Sequence, residues 1–285
     1  MLLGLFVIFM QNSLVYVTGG AGSIGSELVR QLCVKNKVAI LDNNETALFD
    51  LVEELNQKGF NVFGHVGDVR NQRVFEDMQS KFFIPELIFH CASLKHVTPS
   101  AWCPEEYATT NILGALNVIR YARAHGVRVI NISTDKVVNA NSFMGATKKC
   151  AEIAMRDAIH VSVRFGNVLG SRGSLIPIFQ RQLDRGEKLT VTDERMTRYF
   201  MTIEQACTLV IEAAMRGNVG GKVLIMDMGE KKNVLELAKE ILQKSGKSSD
   251  EISIIGMRPG ETLTEELMTA DEQGRAVKDG NFWII

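Results

Sequence analysis

The stretch "SLVYVTGGAGSIGSELVRQL", residues 13–32, decides the fold. Leu14 to Val17 form a β-rich apolar run, and Ile24, Leu28 and Leu32 then recur at helical spacing. The reading is a buried strand that passes through a glycine turn into a helix. Gly19, Gly22 and Gly25 punctuate that turn. Glycine there permits a tight bend and lets the backbone approach a pyrophosphate at the helix N-terminus.

Working outward, "KVAILD" (37–42) reads as a second strand, followed by a helical segment that Gly59 ends. "NVFGHVGDV" (61–69) and "ELIFHCAS" (86–93) read as the third and fourth strands, and "TTNILGALNVIRYARAHG" (109–126) as a long helix. "VRVINIST" (127–134), the helix "FMGATKKCAEIAMRDA" (143–158) and "HVSVRFGNV" (160–168) continue the alternation. That rhythm predicts an α/β fold with a doubly wound parallel sheet, whose ligands sit beyond the carboxyl ends of the strands. Polar clusters fall at those ends: 18–25, Asp42, Asp68, 93–96, 133–136 and 164–167. After Asn167 the rhythm breaks into turns and charge. The expected division is a nucleotide-binding domain of residues 1–166 plus 200–229 and a small substrate lobe of 167–199 plus 230–285.

Asp42 follows Gly22 by twenty residues at the end of the second strand. Its carboxylate suits both ribose hydroxyls of an adenosine and repels a 2′-phosphate. No arginine or lysine follows in "NNETALF" to neutralise one, so the pattern favours NAD over NADP. The expected cofactor residues are Gly19, Gly22, Ser23, Ile24, Gly25, Asp42, Asp68, Val69, Ala92 and Lys148.

The 285 residues carry 32 basic and 33 acidic side chains, a balance that argues against a nucleic-acid surface. The five cysteines are odd in number and lack metal-ligand spacing, as expected of reduced thiols in a cytoplasmic protein with no metal. The apolar stretch Met1–Met10 is shorter than the ~20 residues needed to span a bilayer. It is expected to cap the domain as a short helix or extended segment, the lesser alternative being a peripheral membrane contact.

"ISTDKVVNANSFMGATKK" (132–149) carries a hydroxyl, a carboxylate and an amine at Thr134, Asp135 and Lys136. Met144 and Lys148 lie one helical turn apart downstream. In enzymes that move a hydride, tyrosine usually begins that four-residue spacing. Together with Asn111, these residues resemble the extended short-chain dehydrogenase/reductase superfamily, built on the Rossmann fold. "VTGGAGSIGSELVRQL", "STDKVVNANSFMGATKK", "VRFGNVLGSRGSLIPIF", "MTRYFMTIEQA" and "MRPGETLTEEL" narrow the resemblance to the UDP-N-acetylglucosamine 4,6-dehydratases of glycan synthesis. The likeness runs in order from Leu14 to Leu267, and among the family's long membrane-attached and short forms the chain resembles a short one.

The resemblance implies an NAD-dependent lyase that turns a UDP-sugar into its 4-keto-6-deoxy derivative, with retention at C5 through the methionine-type branch. It also implies a homo-oligomer. Asp135 and Lys136 are the expected acid and base of the elimination, which requires the chain to turn between Thr134 and Val137 so that both reach the sugar. Lys148 is expected at the nicotinamide ribose, and Met144 to shape the pocket. The base for the C4 hydroxyl stays open among Thr134, Asp135 through a water, and a water near Lys148. Lys95, Asn167, Arg198, Arg258 and Glu261 are the expected substrate contacts, the two arginines for phosphate. The alternatives are an inverting dehydratase, a 4-epimerase of a UDP-sugar, or a non-catalytic NAD- or UDP-sugar-binding protein. Two departures stand out: Ala140 occupies a position where the family often has proline, and the chain stops soon after its last motif.

Overall fold

A computed structural model describes residues 11–157 and 159–285. The expected cap or membrane contact at residues 1–10 lies outside the described residues. Strands β1 (Leu14–Thr18), β2 (Lys37–Asp42), β3 (Val62–Val66), β4 (Leu87–His90), β5 (Arg128–Ile132), β6 (Val161–Arg164) and β7 (Val223–Met226) pair in parallel. β8 (Val277–Asp279) and β9 (Phe282–Ile284) add two antiparallel strands, giving the order β8-β9-β7-β6-β5-β4-β1-β2-β3.

The order reverses between β1 and β4, where the chain leaves the sheet in opposite directions and opens a crevice at the carboxyl ends. β1, β2 and β4 are almost wholly buried, as their near-continuous apolar sequences require of strands covered on both faces. One core, including Val15, Val17, Ile40 and Phe89, packs against the helices Ser23–Leu32 and Ile203–Met215. The other, including Tyr16, Ala39 and Ile88, packs against Arg73–Lys81 and Gly114–His125.

A third, separate core of Phe179, Leu189, Val191, Met196, Val234, Ala238 and Leu242 underlies the small lobe. Its short strands Leu189–Val191 and Ile252–Ile254 pair with each other, and Thr197–Arg198 pairs with Lys232–Asn233. The last residues differ from the expected division. β8 and β9 leave the lobe and extend the central sheet, because Phe282, fully buried, fills the edge of the main core beside β7.

Candidate active site

The glycine turn is built for close approach. Gly19 has φ +65, and a Cβ there would stand 2.6 Å from the Ala92 backbone. A Cβ on Gly25 would meet Gly19 O at 2.1 Å, so the helix packs directly on the turn. Gly22 caps the helix Ser23–Leu32 without a side-chain hydrogen bond, leaving the first amides of the helix free for an anion. Asp42 is 9% exposed and accepts from Ala21 N at 2.8 Å and Asn44 N at 2.9 Å. These two bonds aim its carboxylate at a cavity of about 270 Å³ that Asp68, Val69 and Ala92 also line. Asp68 is held by Arg70 at 2.7 Å, which lowers its pKa.

This space adjoins a larger cavity of about 770 Å³ between the sheet and the small lobe. Gly19 and Gly22 line both. Ser23, Ile24, Gly25 and Lys148 face the larger one, so every expected cofactor residue borders one space or the other. The cradle that a Cβ would fill and the open helix end fit a dinucleotide.

The expected turn is present. Thr134 caps a single 3₁₀ turn, Asp135–Val137, that swings Asp135 and Lys136 toward the same cavity. The helix Phe143–Ala154 is capped by Ser142, whose hydroxyl accepts from Gly145 N at 3.1 Å. Gly145 presses against the turn, since a Cβ there would meet Lys136 O at 2.4 Å. Met144 and Lys148 lie on the buried face of that helix, 1% and 6% exposed. Lys148 donates to Ile132 O, and burial pushes its ammonium down to about 8. Ala140, in the intervening loop, has φ +42, a left-handed conformation closed to proline.

Asn111 sits in a π-helical turn, Ala108–Leu113, which points its amide at the loop after β4. It accepts from Leu94 N at 2.8 Å and donates to Leu94 O at 3.0 Å and Thr147 Oγ1 at 2.9 Å. Asn111 thus ties the Lys95 loop to the helix that carries Met144 and Lys148.

Lys136 Nζ lies 3.0 Å from Asp135 Oδ1, 3.1 Å from Asn167 Oδ1 and 3.0 Å from Glu265 Oε2. These acceptors take all three ammonium protons. Burial disfavours its charge, but Asp135 and Glu265 outweigh that and raise its pKa. Burial likewise opposes charge on Asp135, and Lys136 overcomes it, holding the carboxyl below the usual range. The pair therefore rests as carboxylate and ammonium, the reverse of the expected protonated acid and neutral base. Thr134 Oγ1 donates to Asp135 Oδ1 at 2.9 Å.

All five expected substrate contacts line the larger cavity, but in different states. Lys95 Nζ lies 3.4 Å from Ser171 Oγ. Arg198 is not a free phosphate ligand: its guanidinium donates to Thr197 O, Leu263 O and Thr262 O at 2.7–3.1 Å, pinning the last loop of the lobe. Arg258 is exposed and makes no ion pair among the described residues, leaving it available to an anion. Glu261 accepts from Arg258 N at 3.0 Å, capping the turn that presents that arginine.

Two contributors escape a reading of the sequence. Arg172 borders both cavities, and its backbone N donates to Ser23 Oγ at 2.9 Å, drawing the 170–174 loop over the glycine turn. Glu265, whose side chain is 10% exposed, joins the Asp135–Lys136 pair from the small lobe. Its signal was the doublet Glu265–Glu266, whose members face different ways: Glu266 pairs with Lys231 instead. Among the described residues no acidic, histidine or cysteine cluster can hold a metal ion, the five cysteines are free, and no helix is long and apolar enough to cross a membrane.

The model of the polysaccharide biosynthesis protein family matches residues 15–285. The chain is 40% identical over 279 residues to the capsular polysaccharide biosynthesis protein CapD of Staphylococcus aureus, covering 92% of this chain and 46% of CapD. It thus spans about half the length of the first curated relatives it matches. It is 32% identical to a UDP-glucose 4-epimerase of Rickettsia bellii, covering 97% of this chain and 83% of the epimerase. The structure of Pen from Bacillus thuringiensis superposes with a TM-score of 0.90 at 35% identity, covering 98% of this chain and 90% of Pen. Solved structures only 17–22% identical, dTDP-glucose 4,6-dehydratases among them, share the fold and carry NAD.

Proposed function

The chain belongs to the polysaccharide biosynthesis protein family, and we propose that within it this protein is an NAD-dependent 4,6-dehydratase of UDP-N-acetylglucosamine. The observation that carries this reading is the meeting, in one cavity, of the Thr134–Asp135–Lys136 turn, Met144 and Lys148 beside a dinucleotide cradle. The glycine turn and the amides of Ser23 and Ile24 would hold the cofactor's pyrophosphate, Asp42 its adenosine ribose and Lys148 its nicotinamide ribose. When bound, NAD would supply a hydride acceptor for C4 and a hydride donor for C6. Lys95 and Arg258 bring positive charge for the diphosphate of the substrate, and Asn167 and Glu261 add polar contacts.

Oxidation at C4 acidifies the C5 hydrogen, and elimination then needs one base and one acid. An ion pair is already in place. Asp135, a carboxylate in the resting protein, takes the C5 proton, and the Lys136 ammonium protonates the departing C6 hydroxyl. This exchanges the roles expected from sequence. Met144 has no titrating group to offer, so proton return to C5 falls to Asp135, on the face from which the proton left. That geometry supports retention. The proposed setting is the cytoplasm, where free thiols such as the exposed Cys103 and Cys150 stay reduced, and a homo-oligomer is the proposed assembly.

A second reading, a 4-epimerase, rests on the Rickettsia relative. An epimerase has no elimination step and no use for the Asp135–Lys136 pair. Mass spectrometry of the product decides between them: a dehydratase releases a UDP-sugar lighter by one water, and an epimerase leaves the mass unchanged.

A further inference from the structure

Glu265 reaches the cavity from the small lobe, in a segment that Arg198 pins through Thr262 O and Leu263 O. Its carboxyl contacts three charged groups. Lys136 Nζ is 3.0 Å from Oε2, and Arg198 Nε is 3.4 Å from Oε1. The Asp135 carboxyl lies within hydrogen-bonding reach. Asp135 itself has a side chain with no exposure, and its Oδ2 finds no donor among the described residues.

Two carboxyls that meet out of water cannot both stay charged at ordinary cost, so one keeps a proton. Asp135 is the more deeply buried of the two, and Lys136 lies 3.0 Å from both. Yet Asp135 also accepts from Thr134 at 2.9 Å, whereas the only other cation that Glu265 meets among the described residues is Arg198 at 3.4 Å. The charge therefore settles on Asp135 and the proton on Glu265. The balance of burial and neighbours agrees: burial, only partly offset by Lys136, lifts Glu265 to about 7.

The Lys136 ammonium is by itself a reluctant donor, because surrendering a proton would leave a neutral amine between two carboxyls. We propose that Glu265 is the proton source of the elimination, recharging Lys136 through their direct hydrogen bond as Lys136 protonates the departing hydroxyl. This rests on the dehydratase reading. The step balances. The C5–H bond breaks and its proton passes to Asp135, its electron pair forms the C5–C6 double bond, and the C6–O pair leaves with the hydroxyl. That hydroxyl becomes water with the Lys136 proton, which Glu265 replaces. Asp135 later returns its proton to C5. Over the whole reaction, the proton lost by the C4 hydroxyl to solvent equals the one Glu265 regains. Glu265 acts through Lys136 and is a positioning, proton-supplying residue rather than a catalytic one.

The test compares the full chain with Glu265→Gln and Glu265→Asp, supplied with NAD and UDP-N-acetylglucosamine. In the unmodified protein the rate of product formation falls as pH rises through about 7, where Glu265 gives up its proton. In Glu265→Gln that limb vanishes and the rate below it drops on the order of 10²-fold, the scale of general acid–base help. Single-turnover appearance of reduced cofactor, which reports C4 oxidation alone, stays within a few-fold and shows that the variant is folded. Glu265→Asp restores a limb. Infrared spectra of the protein without substrate give a readout apart from turnover: the protonated-carboxyl band near neutral pH disappears in Glu265→Gln. A limb and band that persist in Glu265→Gln overturn this inference alone. Failure of the unmodified protein to dehydrate the sugar overturns the functional reading, and the inference with it.

Discussion

Lys136 is the residue on which the proposed chemistry turns, and its three oxygen partners come from three parts of the chain: Asp135, Asn167 and Glu265. The grouping has a consequence for stability as well as turnover. Glu265 stands near 7 in the folded protein against an ordinary carboxyl value of 4.5. A raised carboxyl contributes stability that is fully present below its unfolded value and lost as pH rises through its folded one. The groups that face it are Asp135 and Lys136 from the turn after β5 and Arg198 from the lobe. Asp135 and Glu272 are lowered, so their contributions change only at more acid pH. Buried His90, pushed down by desolvation to about 3, tilts the slope the other way in the same window. The difference between wild type and Glu265→Gln removes that contribution. Thermal midpoints measured from pH 4.5 to 7 should fall more steeply in the wild type than in the variant. Parallel curves would mean that Glu265 is ionised throughout.

At the scale of elements, the glycine turn and the Asp135–Val137 turn carry the site, and they were legible to different degrees. Three glycines between a strand and a helix are a local pattern, so the cradle could be read from residues 13–32. The 3₁₀ turn followed from a requirement, since neighbours in a strand face opposite ways. Contacts made across the lobe were not legible. An arginine in "MTRYF" reads the same whether it meets a phosphate or three carbonyl oxygens, and only the path of residues 262–263 puts those oxygens beside Arg198. The Glu265–Glu266 doublet gave no hint of which member turned inward. The cradle makes its own prediction: Gly25→Ala drives a Cβ into the backbone oxygen of Gly19, which cannot move aside as a flexible side chain would. A stability loss of about 1–3 kcal/mol is expected from overpacking, with NAD affinity reduced at least tenfold. Denaturant unfolding and a fluorescence titration with NAD measure both, and an unchanged affinity would contradict the cradle.

A buried ionic knot ties the end of the chain to the central sheet. Arg164, with no exposure, ends β6 and donates to Glu152 at 2.6 Å and Glu272 at 2.7 Å. Ser133 Oγ donates to Glu152 at 2.7 Å, which anchors the strand end just before the Asp135–Val137 turn. Thr269 and Glu272 form the capping box of the helix Ala270–Arg275, so the same carboxylate fixes the chain on its way to β8. Arg164→Met would leave two buried carboxylates with only Lys149 as a cation and should cost about 3–5 kcal/mol, read as a lowered denaturation midpoint. Exchanging Glu152 and Glu272 for glutamine as well should recover most of the loss, because the buried charges are then gone and only Lys149, whose side chain is partly exposed, loses its partners. The knot explains why a segment so far along the chain bears on the site: it sets the end of β5 and the start of the turn that aims Asp135 and Lys136 at the cavity.

Proton NMR of the purified protein with NAD and UDP-N-acetylglucosamine in deuterated buffer puts the dehydratase reading to its sharpest test. The account predicts a UDP-4-keto-6-deoxy sugar with couplings that report retained configuration, because Asp135 takes the C5 proton and returns one to the same face, a deuteron where its carboxyl has exchanged with the buffer in between. A product that keeps its C6 hydroxyl, or one inverted at C5, would contradict it.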